Sequence, residues 1–557
     1  MKKRAFILSF FLLFISLRLC SAASERALAY YYFIKAERSF HQGLIQEAID
    51  FYQKTLKYDP HALAAMQAIA RLHLQAGRLK EAKDWLEEVL RIDPQSIEVR
   101  FLLIWIYINK HSYGEAIKEC KNILAIDRDN KEAMFYLANL FFKTNQYEDA
   151  IKYFERFLRL NPKSYLAYYY LGNAYLNQKR YEDAEKALKK SLKINPYFED
   201  TSISLARLYQ DWGKEKEEEE VYQNILSNNP ANLDICLKLA KIYIKQGRLK
   251  DAQERFEEVK KIYPQSRLKI GAFWLEQKQY KLAIEEFKAL LKLHPNQDNI
   301  KYYLGYAYGE AGNEDSAIKI LDQIPPSSDV YIHATIYRAY LYKKIGKAKQ
   351  AIDLLEGTLK ERPKAISLYL ALASIFEDEK LYPRAEATLK RAILIEPNNR
   401  DLHFQLGVVY DEMGKKEECI KQMRKVLDIN PHDAQALNYI GYTYAEQGKN
   451  LEEAESLIKE ALKYKPNDGY IIDSLGWVYF KQKRYKKALE ILEKAHKLVP
   501  KDPIITEHLG DVYLKNGLLE KALKTYKEAI KLNPKDKNPL LIKIKDLHKK
   551  LNNELSK

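Results

Sequence analysis

Residues 165–196 read YLAYYYLGNAYLNQKRYEDAEKALKKSLKINP, and the spacing of small and apolar residues in this stretch decides the fold. Leu171-Gly172 and Tyr175 fall on one face of a first helix, and Ala184 and Leu188 on one face of a second. Apolar residues three and four apart give each helix a stripe to bury. Gly172 and Ala184 are small, so the two helices can approach closely. Asn177 to Arg180 is a polar break between them. Pro196 cannot continue the second helix and restricts the residue before it. Such a pair cannot bury its apolar face alone, so neighbouring pairs must stack on it.

The same stretch recurs along the chain. Alanine stands at 48, 82, 116, 150 and 184, again at 252, 283, 317, 351 and 385, and at 454, 488 and 522, with Glu218 and Cys419 in the two gaps. The step is 34 residues, except 31 before Ala283 and 35 before Ala454. A proline follows twelve residues after most of these positions, with Arg128 replacing one and Pro325-Pro326 arriving early. A fixed period of this size means a solenoid.

Leu304-Gly305 with Tyr308, Leu406-Gly407 with Tyr410, Leu475-Gly476 with Tyr479 and Leu509-Gly510 with Tyr513 repeat the signature. The pattern resembles the tetratricopeptide repeat (TPR). The resemblance implies an all-α, right-handed superhelix of about fifteen helix-turn-helix units between Ala29 and Pro534. Ile104 replaces the small residue of the third unit, and Glu218 that of the sixth. The expected organisation is a signal peptide at 1–23, seven repeats over 24–264, irregular repeats eight and nine over 265–330, repeats ten to fifteen over 331–534, and a basic capping helix over 535–557. The deletion near Arg267 should shorten the first helix of unit eight. Pro325-Pro326 should truncate the second helix of unit nine, and together they imply a change of curvature.

Composition agrees with an array and excludes other classes. Gly (20) and Pro (18) are too few in 557 residues for a turn-dense sheet protein, and four Cys cannot build a disulfide framework. The N-terminus has its own layout: basic Lys2, Lys3 and Arg4, an uncharged run from Ala5 to Leu17, then Ser21, Ala22 and Ala23. The run falls short of the about 20 residues that span a bilayer. It reads as a cleaved export signal, cut after Ala22 or Ala23. Lipoprotein processing at Cys20 is the alternative, although Arg18 and Leu19 depart from that pattern; membrane association follows if Cys20 is lipidated. Net charge is +16, spread over many helices as lysine without the continuous run of a nucleic-acid-binding arm.

Catalytic chemistry has no place to sit. The sequence has no HExxH, P-loop, dinucleotide-binding glycine motif or GxSxG. The eleven His are dispersed, so no metal or cofactor site is assigned. Cys120, Cys236 and Cys419 are expected as buried thiols. Acid pairs such as Glu217-Glu218 are expected on solvated helix faces.

What remains is surface. The TPR resemblance implies protein or peptide binding on a concave wall lined by the first helix of each unit. Positions three before, one after and four after its small residue should face that wall. Early units contribute Phe101, Trp105, Phe135, Asn139, Phe142, Tyr169 and Asn173. Later units contribute Tyr302, Tyr306, Tyr340, Phe404, Tyr442, Trp477 and Phe480. Aromatics give contact area with few rotors to freeze, yet the same residues can pack between units. Glu377, Asp378, Asp411, Glu412 and Glu446 form an acidic patch, with Asp473, Glu507 and Asp511 beyond. The Lys, Asn and Arg clamp of chaperone-tail TPR domains is not found, since Asn139 and Asn173 lack the preceding Lys.

Residues 436–514, beginning ALNYIGYTYAEQGKN and ending ITEHLGDVYL, resemble the C-terminal block of long TPR adaptors of Gram-negative envelopes. Some of those bind a carboxy-terminal processing protease and present cell-wall hydrolases to it. The expectation is a non-catalytic scaffold, exported to the periplasm or the periplasmic face of the outer membrane, with other envelope proteins as partners and no nucleic acid. The alternative is a scaffold for exopolysaccharide export or for outer-membrane or secretion-complex assembly, where tyrosine and tryptophan stack on sugars.

Overall fold

The computed structural model describes residues 24–532, 534 and 537–555; the expected export signal at 1–23, with Cys20, lies outside the described residues. The chain divides after Ser266 into two units, each with its own core.

The first unit opens with α1 (24–41) and α2 (Ile45–Tyr58). Then come α3 (Leu63–Gln75), α4 (Leu79–Ile92), α5 (Ile97–Asn109), α6 (Tyr113–Ile126), α7 (Lys131–Lys143) and α8 (Tyr147–Leu160). It ends with α9 (Tyr165–Asn177), α10 (Tyr181–Ile194), α11 (Glu199–Trp212), α12 (Glu215–Asn228), α13 (Leu233–Lys245), α14 (Leu249–Ile262) and a 3-10 turn at Pro264–Ser266. The second unit runs α15 (Arg267–Glu276), α16 (Tyr280–Leu293), α17 (Asp298–Glu310), α18 (Glu314–Leu321), α19 (Tyr331–Lys344), α20 (Ala348–Glu361), α21 (Ile366–Asp378) and α22 (Tyr382–Ile395). It continues with α23 (Arg400–Glu412), α24 (Lys416–Ile429), α25 (Ala434–Gln447), α26 (Leu451–Tyr464), α27 (Gly469–Lys481), α28 (Tyr485–Leu498), α29 (Pro503–Lys515), α30 (Leu519–Lys531) and α31 (Asn538–Leu555). Odd- and even-numbered helices alternate as the first and second helices of fifteen repeats, and α31 packs on α30 through Leu540 and Leu547. The all-α fold read from the sequence is the observed one, with no strand among the described residues.

Each repeat is built alike. First helices often start on a side-chain cap: Asn130 accepts from the Ala133 N–H at 3.0 Å, and Asp433 from Ala436 at 2.9 Å. These caps satisfy donors that the helix leaves unpaired. The turn between the two helices always contains at least one residue with positive φ, glycine in nine repeats and His, Asn or Lys in the other six. Inside the pair, a Cβ added at Gly172 stands 2.6 Å from Leu188 Cγ and 3.3 Å from the Ala184 carbonyl oxygen. Glycine is therefore what lets α9 and α10 meet with Ala184 and Leu188 fully buried.

The irregular repeats are where the period breaks. The first helix of unit eight, α15, has ten residues against thirteen in most repeats, and α18 in unit nine has eight. The 35-residue step is absorbed in the turn before α26, where Asn450 takes a second left-handed conformation after Gly448. Cys120, Cys236 and Cys419 are buried free thiols, pushed up to about 12, 11 and 12 by burial. Glu218 departs from the expected solvated face. It occupies the small-residue position of α12, is 8% exposed, and burial raises its carboxyl. It lines a cavity of about 440 Å³ with Tyr222, Lys238 and Lys245.

Candidate functional site

The wall positions differ widely in what they offer a partner. Trp105 and Tyr340 are each 49% exposed and Tyr306 is 37% exposed. Phe101, Phe135, Asn139, Phe142, Tyr169, Asn173, Tyr302, Phe404, Tyr442 and Phe480 are half-buried. Trp477 is buried, at 8%. Its indole stacks on Phe480 at 4.7 Å and on His508 of the next repeat at 3.9 Å, so it joins repeats and presents almost no surface.

In the first unit the aromatics form an internal cluster. Phe135 touches Phe154, Phe157 and Tyr170 with centroids 6.0, 5.3 and 6.2 Å away. Phe142 meets Tyr170 at 5.9 Å, Tyr169 meets Phe198 at 5.3 Å, and Phe101 meets Tyr136 at 6.0 Å. Asn139 and Asn173 donate back to their own helix, to the carbonyls of Phe135 (3.3 Å) and Tyr169 (2.9 Å). In the second unit Tyr306 and Tyr340 flank Tyr337, at 5.0 and 5.9 Å, while Tyr302 meets Tyr303 at 5.9 Å.

The acidic residues differ in their partners. Asp378 pairs with Lys343 and Asp411 with Lys416. Glu507 and Asp511 share Lys543, at 2.8 and 2.7 Å. Glu377 is half-buried and accepts from the neutral Gln405 amide at 2.8 Å. Burial, with Asp378 and Glu412 nearby, raises its carboxyl. Glu412 accepts from the Tyr382 hydroxyl at 3.3 Å. Glu446 accepts from the neutral Trp477 indole N–H at 2.7 Å rather than from a cation.

Three of these carboxylates converge on one cavity of about 450 Å³ in repeats twelve to fifteen. Asp411 comes from α23, Glu446 from α25 and Asp473 from α27; Asp502, which caps α29, joins them. Asn438, Tyr439 and Tyr442 line it from α25, and Tyr470 from α27. Tyr439 donates to Asp411 at 3.0 Å. Asp473 is buried against His508, 3.0 Å from Nδ1. Burial alone pulls the His508 imidazole down, but Asp473, with Asp511 and Glu446 behind it, outweighs burial and raises it. The Tyr442 phenol is driven well above its ordinary range by burial and by Glu446, Asp473 and Asp411. The Oδ1 atom of Asn438 is buried without a hydrogen-bond partner.

Sequence reasoning found Asp411, Tyr442, Glu446 and Asp473 but not Asn438, Tyr439, Tyr470 or His508. Asn438 had a signal, since it stands three before Gly441, one of the wall offsets. Tyr439 and Tyr470 lie off those offsets and enter the cavity through the stagger of neighbouring helices. His508 meets Asp473 across 35 residues, a contact that only stacking creates.

The tetratricopeptide repeat family matches residues 39–103, 107–155, 135–197, 219–270, 275–334, 344–403, 401–433 and 479–540. A TPR repeat-containing protein of Pseudomonas aeruginosa is 27% identical over 192 residues, 34% of this chain and 32% of that protein. The TPR repeat-containing protein YpiA of Bacillus subtilis is 23% identical over 225 residues, 39% of this chain and 52% of that one. The chain thus spans about a third to a half of the length of these relatives. Among solved structures, Naa15/Naa10 bound to HypK-THB aligns with a TM-score of 0.44 at 15% identity, covering 95% of this chain and 97% of that one.

Proposed function

The chain belongs to the tetratricopeptide repeat family, and from that premise we propose that it is a non-catalytic adaptor of the bacterial cell envelope that holds client proteins on its first-helix wall. Tetratricopeptide repeats form protein–protein interaction scaffolds, and the fold is generally non-catalytic. The observation that carries the reading is the unequal use of the wall. Most aromatics are spent between repeats, while Trp105, Tyr306 and Tyr340 remain open to solvent, and open aromatics suit contact hot spots.

The envelope location rests on the basic, apolar, small-residue order of residues 1–23. The favoured clients are a processing protease or a cell-wall hydrolase, supported by the likeness of residues 436–514 to envelope adaptors. Fifteen repeats offer more wall than one short segment covers, so two clients can be held together and each raises the effective concentration of the other. A photo-crosslinking residue placed at Trp105 or at Tyr340 tests this in cells. Envelope proteins captured at each site, and lost when the other exposed aromatics become alanine, are the expected result. Polysaccharide in place of protein overturns the protease-adaptor reading, and no capture at either site overturns the wall.

A further inference from the structure

We propose that the cavity of repeats twelve to fifteen is a receptor for one cationic side chain, lysine or arginine, of an extended segment in a client protein. The inference rests on the scaffold reading above and names the chemistry that the scaffold selects.

The lining offers acceptors and few donors. Lys416, a cation lining the cavity, is engaged by Asp411, and the Tyr439 hydroxyl is spent on the same carboxylate. Glu446 accepts from the neutral indole N–H of Trp477 and has the neutral Tyr442 phenol beside it, but is in no ion pair among the described residues. Asn438 Oδ1 is buried with no partner. A buried acceptor without a donor costs free energy, and an ammonium or guanidinium group entering here supplies donors to the amide oxygen and to Glu446 together. Charge-assisted hydrogen bonds of this kind are stronger than neutral ones. The field acts in the same direction: the carboxylates that hold the Tyr442 phenol neutral and raise His508 also attract a cation and repel an anion.

The apolar lining fixes what carries the charge. Tyr470 is 56% exposed and Ile504 55% exposed, and both line the cavity. They offer surface to the methylene stem of a long side chain, which buries its stem while its head stays polar. The Tyr442 and Tyr470 rings add cation–π attraction. A bare metal ion fits less well. Hard cations require several oxygens converging at about 2.3–2.6 Å, and no group of three His, Cys, Asp or Glu among the described residues is placed to hold one. A cavity of about 450 Å³ has room for one long side chain with several waters, each of about 30 Å³.

The test uses the full chain, a phage-displayed library of random decapeptides as the probe, and fluorescence anisotropy on the peptides recovered. The expected peptides carry a lysine or arginine whose replacement by glutamine weakens binding at least about tenfold. Glu446→Gln should abolish that discrimination, and Glu446 is exposed, so the fold tolerates the change. Asn438→Leu, which fills the cavity while leaving every charge in place, should weaken the same peptides; circular dichroism confirms that both variants are folded. Peptides that bind with no basic requirement overturn the cavity receptor and leave the scaffold standing, as does discrimination that survives Glu446→Gln. Recovery of no peptide, together with no protein captured by the crosslinkers at Trp105 and Tyr340, overturns both.

Discussion

Gly172 and Lys179 show how little a single residue must do to set a repeat. The added Cβ at Gly172 would lie 2.6 Å from Leu188 Cγ, so Gly172→Leu forces α9 off α10. A cost of about 1–3 kcal/mol is expected from such overpacking, read as lost amide-exchange protection in α9 and α10. The double variant Gly172→Leu/Leu188→Ala should recover part of it, because the clash is with that side chain. Lys179 has φ +59°, where nine of the fifteen repeats place glycine. Lys179→Gly should stabilise the turn by about 0.5–1 kcal/mol, since a side chain is strained in this conformation; a decrease in protection of α10 would refute the strain. His508 supplies a pH signature. Its folded-state pKa is raised by the outcome of burial against Asp473, Asp511 and Glu446. The stabilisation is therefore complete below the ordinary histidine value of about 6.5 and is lost as pH rises through the raised one. Thermal melts should fall with rising pH above about 6.5, and His508→Gln should remove that slope.

Between helices, the tyrosine three after the small residue of the first helix becomes a rung in five repeats. Tyr175 donates to Glu155 at 2.5 Å, Tyr209 to Glu185 at 2.8 Å, Tyr410 to Glu386 at 3.2 Å, Tyr479 to Glu455 at 3.2 Å and Tyr513 to Glu493 at 2.8 Å. In every case the acceptor lies on the second helix of the preceding repeat. A guanidinium covers two of these rings, Arg180 on Tyr175 at 4.4 Å and Arg484 on Tyr479 at 4.5 Å. These five tyrosines thus serve the stacking of repeats rather than binding. Tyr479→Phe should cost about 1.5–3 kcal/mol, the scale of a hydrogen bond to a charged group. Glu455 makes the rung acid-sensitive. Burial pushes its carboxyl up, but hydrogen bonds from Lys459 and Gln482 and the charges of Lys459 and Arg484 win and hold it at about 2. The stability it adds is present above its ordinary value of 4.5 and is lost as pH falls through about 2. The difference in melting temperature between the native chain and Glu455→Gln should shrink over that window; a constant difference would mean that the carboxylate is not what holds the rung.

Among the described residues, contacts run between neighbouring repeats, and stacking joins their cores into one apolar cluster from Ala339 to Val512, as expected of a repeat array. The break after Ser266 falls where three residues are missing from the period, at the 3-10 turn that leads into the shortened α15. Fragments 24–266 and 267–557 should each be helical when expressed alone, with spectra that sum to that of the full chain. A fragment that is unfolded by circular dichroism would show that its core depends on the other.

The period, the fifteen helix pairs and the sites of the short helices were legible without coordinates, because each depends on residues within one 34-residue unit. Pro325-Pro326 ends a helix whatever surrounds it, since proline removes a donor and clashes with the preceding turn. The recurring glycine at 43, 77, 213 and 247 carries the left-handed turn just as plainly. What the residues could not disclose is which of two roles a wall position takes. Trp105 and Trp477 hold the same place after the small position of their helices, yet one is 49% exposed and the other 8%. The difference is the neighbour: His508 and Phe480 close over Trp477. Glu218 and Asn438 teach the same lesson from the polar side, one buried where solvent was expected and the other unpartnered in a cavity. Periodicity is a property of the single helix and is written in the chain, whereas exposure and pairing are set by side chains about 35 residues away that only stacking of the repeats brings within contact.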